Sequence, residues 1–239
     1  MNPSYTFTQA GFVATTIIFY GLLLAQLRKS LALTSFTENK QKKIFNGTLM
    51  ALIGWAVVTA ILSITGILSD FSTFPPKILI ALIIPLIAII WAVSTKEVKE
   101  ILTHTPPASI IWIQSFRIVV EILLWRLFVD NLAPIQMTFE GRNFDILSGL
   151  TAIVVAILVA NKRISSPLVI AWNFAGLALL LNIVTVAILS MPTPLRVFMN
   201  EPANTIVTRF PIVWLPALLV PLAYGLHFLS LRQYWGIRR

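Results

Sequence analysis

The sequence predicts an all-α, polytopic integral membrane protein with seven transmembrane helices, and three observations lead there. Apolar residues make up 57% of the 239 positions and charged residues 11%, against roughly 45 to 50% and about 25% in an average soluble domain. The mean hydropathy is +0.86. Apolar runs recur at about 9–27, 46–69, 76–95, 109–130, 145–161, 167–190 and 211–231, each near the roughly 17 to 25 residues that a spanning helix needs. A soluble fold is excluded, because only a bilayer leaves so much apolar surface without cost, and residues 1–239 read as one transmembrane domain.

The first run follows MNPSYTFTQ, which carries no charge; a cleaved secretory signal would have a basic region there, so this run is expected to stay as a helix. The second run carries no charge, and the third, introduced by Phe74-Pro75, carries only Lys77 at its outer end. The fourth, SIIWIQSFRIVVEILLWRLFVDN, breaks the apolar rule with Gln114, Arg117, Glu121 and Arg126. The fifth, DILSGLTAIVVAILVA, is the shortest; as a full span it makes seven, and as a re-entrant segment it would leave six. The sixth is again apolar, and the seventh opens on Phe210-Pro211.

Orientation follows from Lys and Arg. Arg28, Lys29, Lys40, Lys42, Lys43, Lys96, Lys99, Lys162, Arg163, Arg232, Arg238 and Arg239 fall on one side of the seven runs, and only Lys77, Arg142, Arg196 and Arg209 on the other. By the positive-inside rule the richer side is cytoplasmic, which puts the N-terminus outside and the C-terminus inside a cell membrane, of the bacterial inner-membrane kind. The net charge of +9 is then mostly topology. Lys40, Lys42 and Lys43 are placed to meet anionic lipid head groups, and nucleic acid is not expected as a partner, since it would want clustered basic and stacking residues on a soluble face.

A parallel 3+1+3 repeat is a further expectation. FPPKILIALIIPLIAIIWAVS aligns without a gap on FPIVWLPALLVPLAYGLHFLS, with identities at Phe74, Pro75, Ala81, Leu82, Pro85, Leu86 and Ser94. Pro85 and Pro221 fall near mid-membrane, where each removes a backbone hydrogen bond and kinks its helix. Parallel repeats are a habit of transporters.

Depth groups the polar residues. At 1.5 Å rise per residue, Gln114, Arg117 and Glu121 of the fourth span, Asn173 of the sixth, and Tyr224 and His227 of the seventh all fall in the cytoplasmic half. Arg117 and Glu121 are four residues apart and share a helix face, so they are expected to pair. These six residues form the candidate solute or proton pathway. Arg126, Asp130, Arg142 and Asp145 form a candidate outer vestibule, with Arg126 in reach of Asp130 at i+4 or of Asp145, and with Asn143 or Asp145 capping the fifth helix.

The sequence also removes chemistries. Zero cysteines and two histidines exclude disulfides, thiolate nucleophiles and most metal sites. No HExxH occurs, no lysine lies inside the seventh span for a retinal Schiff base, and no histidine pair faces across the membrane for haem. Ser148 and His227 are expected at opposite membrane faces, roughly 20 Å apart in depth, which argues against a serine protease. An enzyme is not expected, nor a metal or cofactor.

The stretches QSFRIVVE, FEGRNFDILSGLTA and FPIVWLPALLVPLAYGLHFLSLRQ resemble an uncharacterised family of bacterial multi-pass membrane proteins, a likeness that brings no substrate or mechanism. The repeat pattern is similar to that of the SWEET and PQ-loop transporters, but no Pro-Gln pair occurs in the chain. Two functions are left: a transporter or channel for a small solute, proton-coupled, with its site between helices 1–3 and 5–7 near the charges of the fourth helix; or a non-catalytic sensor or assembly subunit in which those charges only hold the bundle together.

Overall fold

The computed structural model describes residues 3–236 and builds them from nine α-helices: α1 (Pro3–Leu31), α2 (Glu38–Ile64), α3 (Ile78–Ser94), α4 (Lys96–Thr103), α5 (Pro107–Ile113), α6 (Phe116–Val129), α7 (Ile146–Ala160), α8 (Ser166–Leu189) and α9 (Val220–Gly236). A π-helical turn, Leu215–Leu219, leads into α9. Among the described residues there is no strand.

Which residues face outward is set by the solvent this protein chooses. On α2 the buried positions are Thr59 and Ser63, while Met50, Ile53, Val57, Ile61 and Ile64 are exposed. On α3, Ile83, Ile87, Ile90 and Trp91 face out while Ile78, Ala81 and Leu82 are buried. Apolar surface of this extent is not tolerated on a soluble monomer and suits helices that face lipid.

Among the described residues five helices are long and apolar enough to cross a membrane: Tyr5–Leu31, Glu38–Ile64, Pro107–Val129, Ser166–Leu189 and Leu215–Trp235. A sixth is reached if α3 and α4, bent by 70° at Thr95, count together. Of the seven expected spans, the fifth apolar run is the one whose helix falls short in length. Its helix, α7, has 15 residues and spans about 22 Å, short of a hydrocarbon core of about 30 Å.

The long connections 65–77, 130–145 and 190–214 lie at one end of the bundle, and 32–37, 95, 104–106 and 161–165 at the other, which carries most of the lysines. Thr37 caps α2 by accepting from the backbone N–H of Lys40, and Thr95 caps α4 by accepting from that of Val98. Lys40 reaches across to Glu97 at 3.1 Å, so the two capped starts are tied together. At the opposite end Lys77 binds Asp70 at 2.6 Å. The Lys77 ammonium, then the Ser72 hydroxyl and N–H, hold the Asp70 carboxyl well below the usual carboxylate range.

The expected repeat is not a feature of the packing. Both Phe-Pro pairs are cis, yet the helices they introduce differ. Helix α3 stays α-helical through Pro85, whereas the chain ahead of Pro221 winds into the π turn. Helix α8 lies along α9, but α2 barely touches α3. Pro221 cannot donate to the carbonyl of Ala217, and that freed acceptor is met by the indole N–H of Trp55 at 3.0 Å. The next carbonyl, Leu218, accepts from the Tyr20 hydroxyl at 2.9 Å. Neighbouring helices thus satisfy the break, as hydrocarbon surroundings demand.

Candidate functional site

The span Pro107–Val129 is broken into α5 and α6 at Gln114 and Ser115, where i to i−3 bonds (Gln114 to Ile111, Ser115 to Trp112, Arg117 to Gln114) tighten the turn. Just past that turn sits Arg117, buried to 1% exposure. Helix α7 begins at the same level, because the connection after α6 folds back into the bundle and buries Gln136, Met137, Thr138 and Asn143 on the way. The first residue before α7, Asp145, is thereby delivered to Arg117.

The guanidinium holds Asp145 with two parallel bonds, Nε donating to Oδ2 at 2.6 Å and Nη2 donating to Oδ1. Its remaining reach goes to α8 and α9: Nη2 donates to the carbonyl of Gly176 at 3.5 Å, and Nη1 lies 2.9 Å from Nε2 of His227. A guanidinium only donates, so Nε2 accepts, and the proton on Nδ1 is donated to Oδ1 of Asn173 at 2.9 Å. Asn173 in turn donates to the carbonyl of Val169 and to the hydroxyl of Ser230. Glycine at 176 is required by this arrangement, since a Cβ there would fall 2.4 Å from Cε1 of His227.

A second arm runs to Glu121. Asn143 accepts the backbone N–H of Asp145 on Oδ1 at 3.1 Å. Its amide Nδ2 donates to both Glu121 carboxylate oxygens at 2.7 Å and to the carbonyl of Met137 at 3.0 Å. Ser230, Asn173, His227, Arg117, Asp145, Asn143 and Glu121 thus form one buried polar chain crossing α9, α8, α6 and the start of α7. Polar groups this deep are costly unless satisfied.

The expected pairing of Arg117 with Glu121 is corrected: the cation is taken by Asp145, and Glu121 has no cation within ion-pair distance among the described residues. Asp145 leaves the expected outer vestibule for the same reason and spends its carboxylate on Arg117, making no side-chain cap on α7. Arg126 and Asp130 remain partly exposed at the far end of α6. Arg142 is exposed, its guanidinium 5.0 Å from the Phe198 ring centre. Of the expected inner group, Arg117, Asn173 and His227 meet directly, and Glu121 joins through Asn143. Gln114 instead donates to the carbonyl of Ala223 at 3.1 Å, leaving its Oε1 without a partner among the described residues. Tyr224 is half-buried with its ring 6.0 Å from that of Phe228, and takes no part in the polar chain.

Ser148 is three residues past Asp145, so the depth argument that separated it from His227 does not hold. Both nitrogens of His227 are nevertheless committed, to Arg117 and Asn173, and neither serves the Ser148 hydroxyl. Among the described residues no group of three or more His, Asp and Glu could hold a metal ion.

Against this chain lies a cavity of about 80 Å³ lined by α3, α6, α8 and the π turn with the start of α9. Its wall is apolar (Leu82, Phe116, Leu180 and Leu219 among others) except at Arg117, Glu121 and Asp145. The volume exceeds several times the ~10 to 15 Å³ that admits one water.

The fold and this site define an all-helical protein with membrane-length apolar helices and a buried charge cluster. Residues 73–234 match the family model described as Domain of unknown function (DUF8737), and the chain belongs to that family. The matched region holds every residue of the polar chain and leaves out α1 and α2. Comparison with curated proteins and with solved structures gives no significant match.

Proposed function

We propose that the protein moves a small solute across a cell membrane, as a transporter or channel, and that the solute passes the cavity walled by Arg117, Glu121 and Asp145. The observation that carries the reading is the position of Glu121: with Arg117 and Asp145 it is one of three charged residues in a cavity wall that is otherwise apolar, and it alone has no ion-pair partner among the described residues. The guanidinium of Arg117 is already engaged by Asp145, His227 and Gly176. It therefore sets the shape and field of the site, while Glu121 is the group with capacity to take a proton or a hydrogen-bonding solute. Intramembrane carboxyls of this kind mark ion and proton pathways. The π turn and the break at Gln114, both beside the cavity, are the sorts of helix irregularity that cluster at functional sites.

In this reading the lysine-bearing end faces the cytoplasm, its cations lie against anionic head groups, and the N-terminus is outside. The chain then makes seven passes, the fifth shared between the infolded connection 131–145 and the short α7. A second reading, a sensor or assembly subunit, is favoured by the engagement of Arg117 with Asp145, His227 and Gly176, because a buried pair held on several sides can serve packing alone. Proteoliposome swelling separates the two. Urea, glycerol, methylammonium and acetate are offered in turn, and wild type is expected to speed entry of at least one over empty vesicles, with Glu121→Gln losing the effect. Equal rates for wild type and empty vesicles across that panel would favour the second reading.

A further inference from the structure

A second cavity, of about 280 Å³, lies toward the lysine-bearing end between α1, α2, α3, α4, α5 and α9. It shares no lining residue with the cavity at Glu121. Nearly all of its wall is aliphatic, and the few polar groups in it are already used. The Tyr20 hydroxyl donates to Leu218, the Thr48 hydroxyl to Ile44, the Thr105 hydroxyl to Ile101, and the Gln26 amide to Ser30. Water needs two to four polar partners to settle in a cavity, and this wall offers it almost none. An occupant must therefore be apolar, and the volume approaches the ~300 to 1,000 Å³ typical of ligand pockets.

The way in is lateral. Helices α2 and α3 both line the chamber yet barely touch each other, so the wall between them is thin on the side where α2 presents Ile and Val, and α3 Ile and Trp91, to lipid. Toward the end nearest the lysines, Lys43 precedes the lining residue Ile44 in α2 and Lys99 follows the lining residue Val98 in α4, and the two helix starts are tied together by Lys40 and Glu97 at 3.1 Å. Both Lys43 and Lys99 are exposed and neither makes an ion pair among the described residues, whereas Lys40 and Lys42 are occupied by Glu97 and Glu38.

We infer that this chamber holds one acyl chain of an anionic phospholipid, whose phosphate sits between Lys43 and Lys99. The apolar wall selects a chain over a polar solute, the gap between α2 and α3 admits it from the bilayer, and the two free ammonium groups select the anionic head. Only the membrane placement is assumed, so the site stands or falls independently of transport.

The test uses the purified full chain in nanodiscs of phosphatidylcholine doped with phosphatidylglycerol or phosphatidylcholine that carries a photoactivatable diazirine in its acyl chain. Labelled peptides are mapped by mass spectrometry. Residues 44–52 and 89–93 are expected to be labelled several-fold more than the lipid-facing Ile153 and Val154 of α7, and more by phosphatidylglycerol than by phosphatidylcholine. Lys43→Gln with Lys99→Gln, both at exposed positions, should remove the headgroup preference while the chain label stays. Ala92→Trp, which fills the chamber, should remove the label. Labelling at 44–52 and 89–93 no stronger than at Ile153 and Val154 in wild type would overturn the proposal, whether or not either variant folds. An unchanged headgroup preference in the lysine variant would overturn the assignment of the phosphate.

Discussion

Removing the Asp145 carboxylate isolates the most buried cation among the described residues. Arg117 is 1% exposed and gives Asp145 two of its donors, Nε and Nη2. In Asp145→Ala those N–H groups face an apolar gap, and what is left to the cation is the His227 ring nitrogen and the Gly176 carbonyl at 3.5 Å. Breaking a buried pair from one side costs roughly 3 to 5 kcal/mol. With about 2 to 4 °C per kcal/mol for a chain of this size, the unfolding midpoint should fall by about 6 to 20 °C. The double change Arg117→Leu with Asp145→Leu removes both charges together, and such replacements are often neutral or stabilising by about 1 to 4 kcal/mol. Thermal unfolding of the detergent-purified protein, read by size-exclusion chromatography after heating, measures all three chains. The reasoning is refuted if Asp145→Ala melts within about 3 °C of wild type, or if the double variant is less stable than the single one. Glu121→Gln is the internal control. Having no cation to orphan, it should cost no more than the ~0.5 to 1.5 kcal/mol of one hydrogen bond.

Gly176→Ala drives a Cβ to within 2.4 Å of the His227 ring; the ring must move off Arg117, and a loss of about 1 to 3 kcal/mol is expected, with an unchanged melting midpoint speaking against the packing described. Trp55→Phe strips the Ala217 carbonyl of its donor beside Pro221, which should cost about 1 to 3 kcal/mol, and wild-type stability in that variant would mean the π turn satisfies itself. The Asp70 carboxyl titrates lower in the folded state than in the unfolded one because of Lys77 and Ser72, so its contribution is present above the unfolded pKa of about 3.9 and is lost as pH falls. Melting midpoints of wild type and Asp70→Asn should therefore differ by a constant amount above about pH 5 and converge in acid, and a gap that widens in acid would contradict the ion pair.

Composition and run length made the all-helical class with apolar helices of membrane length legible, and depth counting along ideal helices brought Arg117, Asn173 and His227 together because α8 and the Arg117 span both start at the lysine-bearing end. The same counting failed at Asp145 for a definite reason. It assumed that every apolar run starts at the membrane face, whereas α7 is only 15 residues long and starts deep, after an infolded connection. The i to i+4 spacing of Arg117 and Glu121 then suggested a local pair, but a bidentate carboxylate on a neighbouring element outcompetes a helix-surface pair worth about 0.2 to 0.5 kcal/mol. Asn143 was visible only as a helix cap. Its role as the amide joining Asp145 to Glu121 has no signature in one sequence, and neither has the service of Gly176 to the His227 ring. The alignment of the third and seventh runs reflects a shared Phe-Pro start and a shared proline spacing, and the packing around α3 and α9 differs despite it.

The central claim is that Glu121 faces a cavity that solute can enter. The chain contains no cysteine, so Glu121→Cys would carry its only thiol, and reaction needs the thiolate, which forms where water reaches. In sealed proteoliposomes, Glu121→Cys should react with a small cationic thiosulfonate reagent, while Val119→Cys, on the outward face of α6, should not. A folded Glu121→Cys protein that stays as unreactive as Val119→Cys would contradict the account and leave the polar chain with a packing role only.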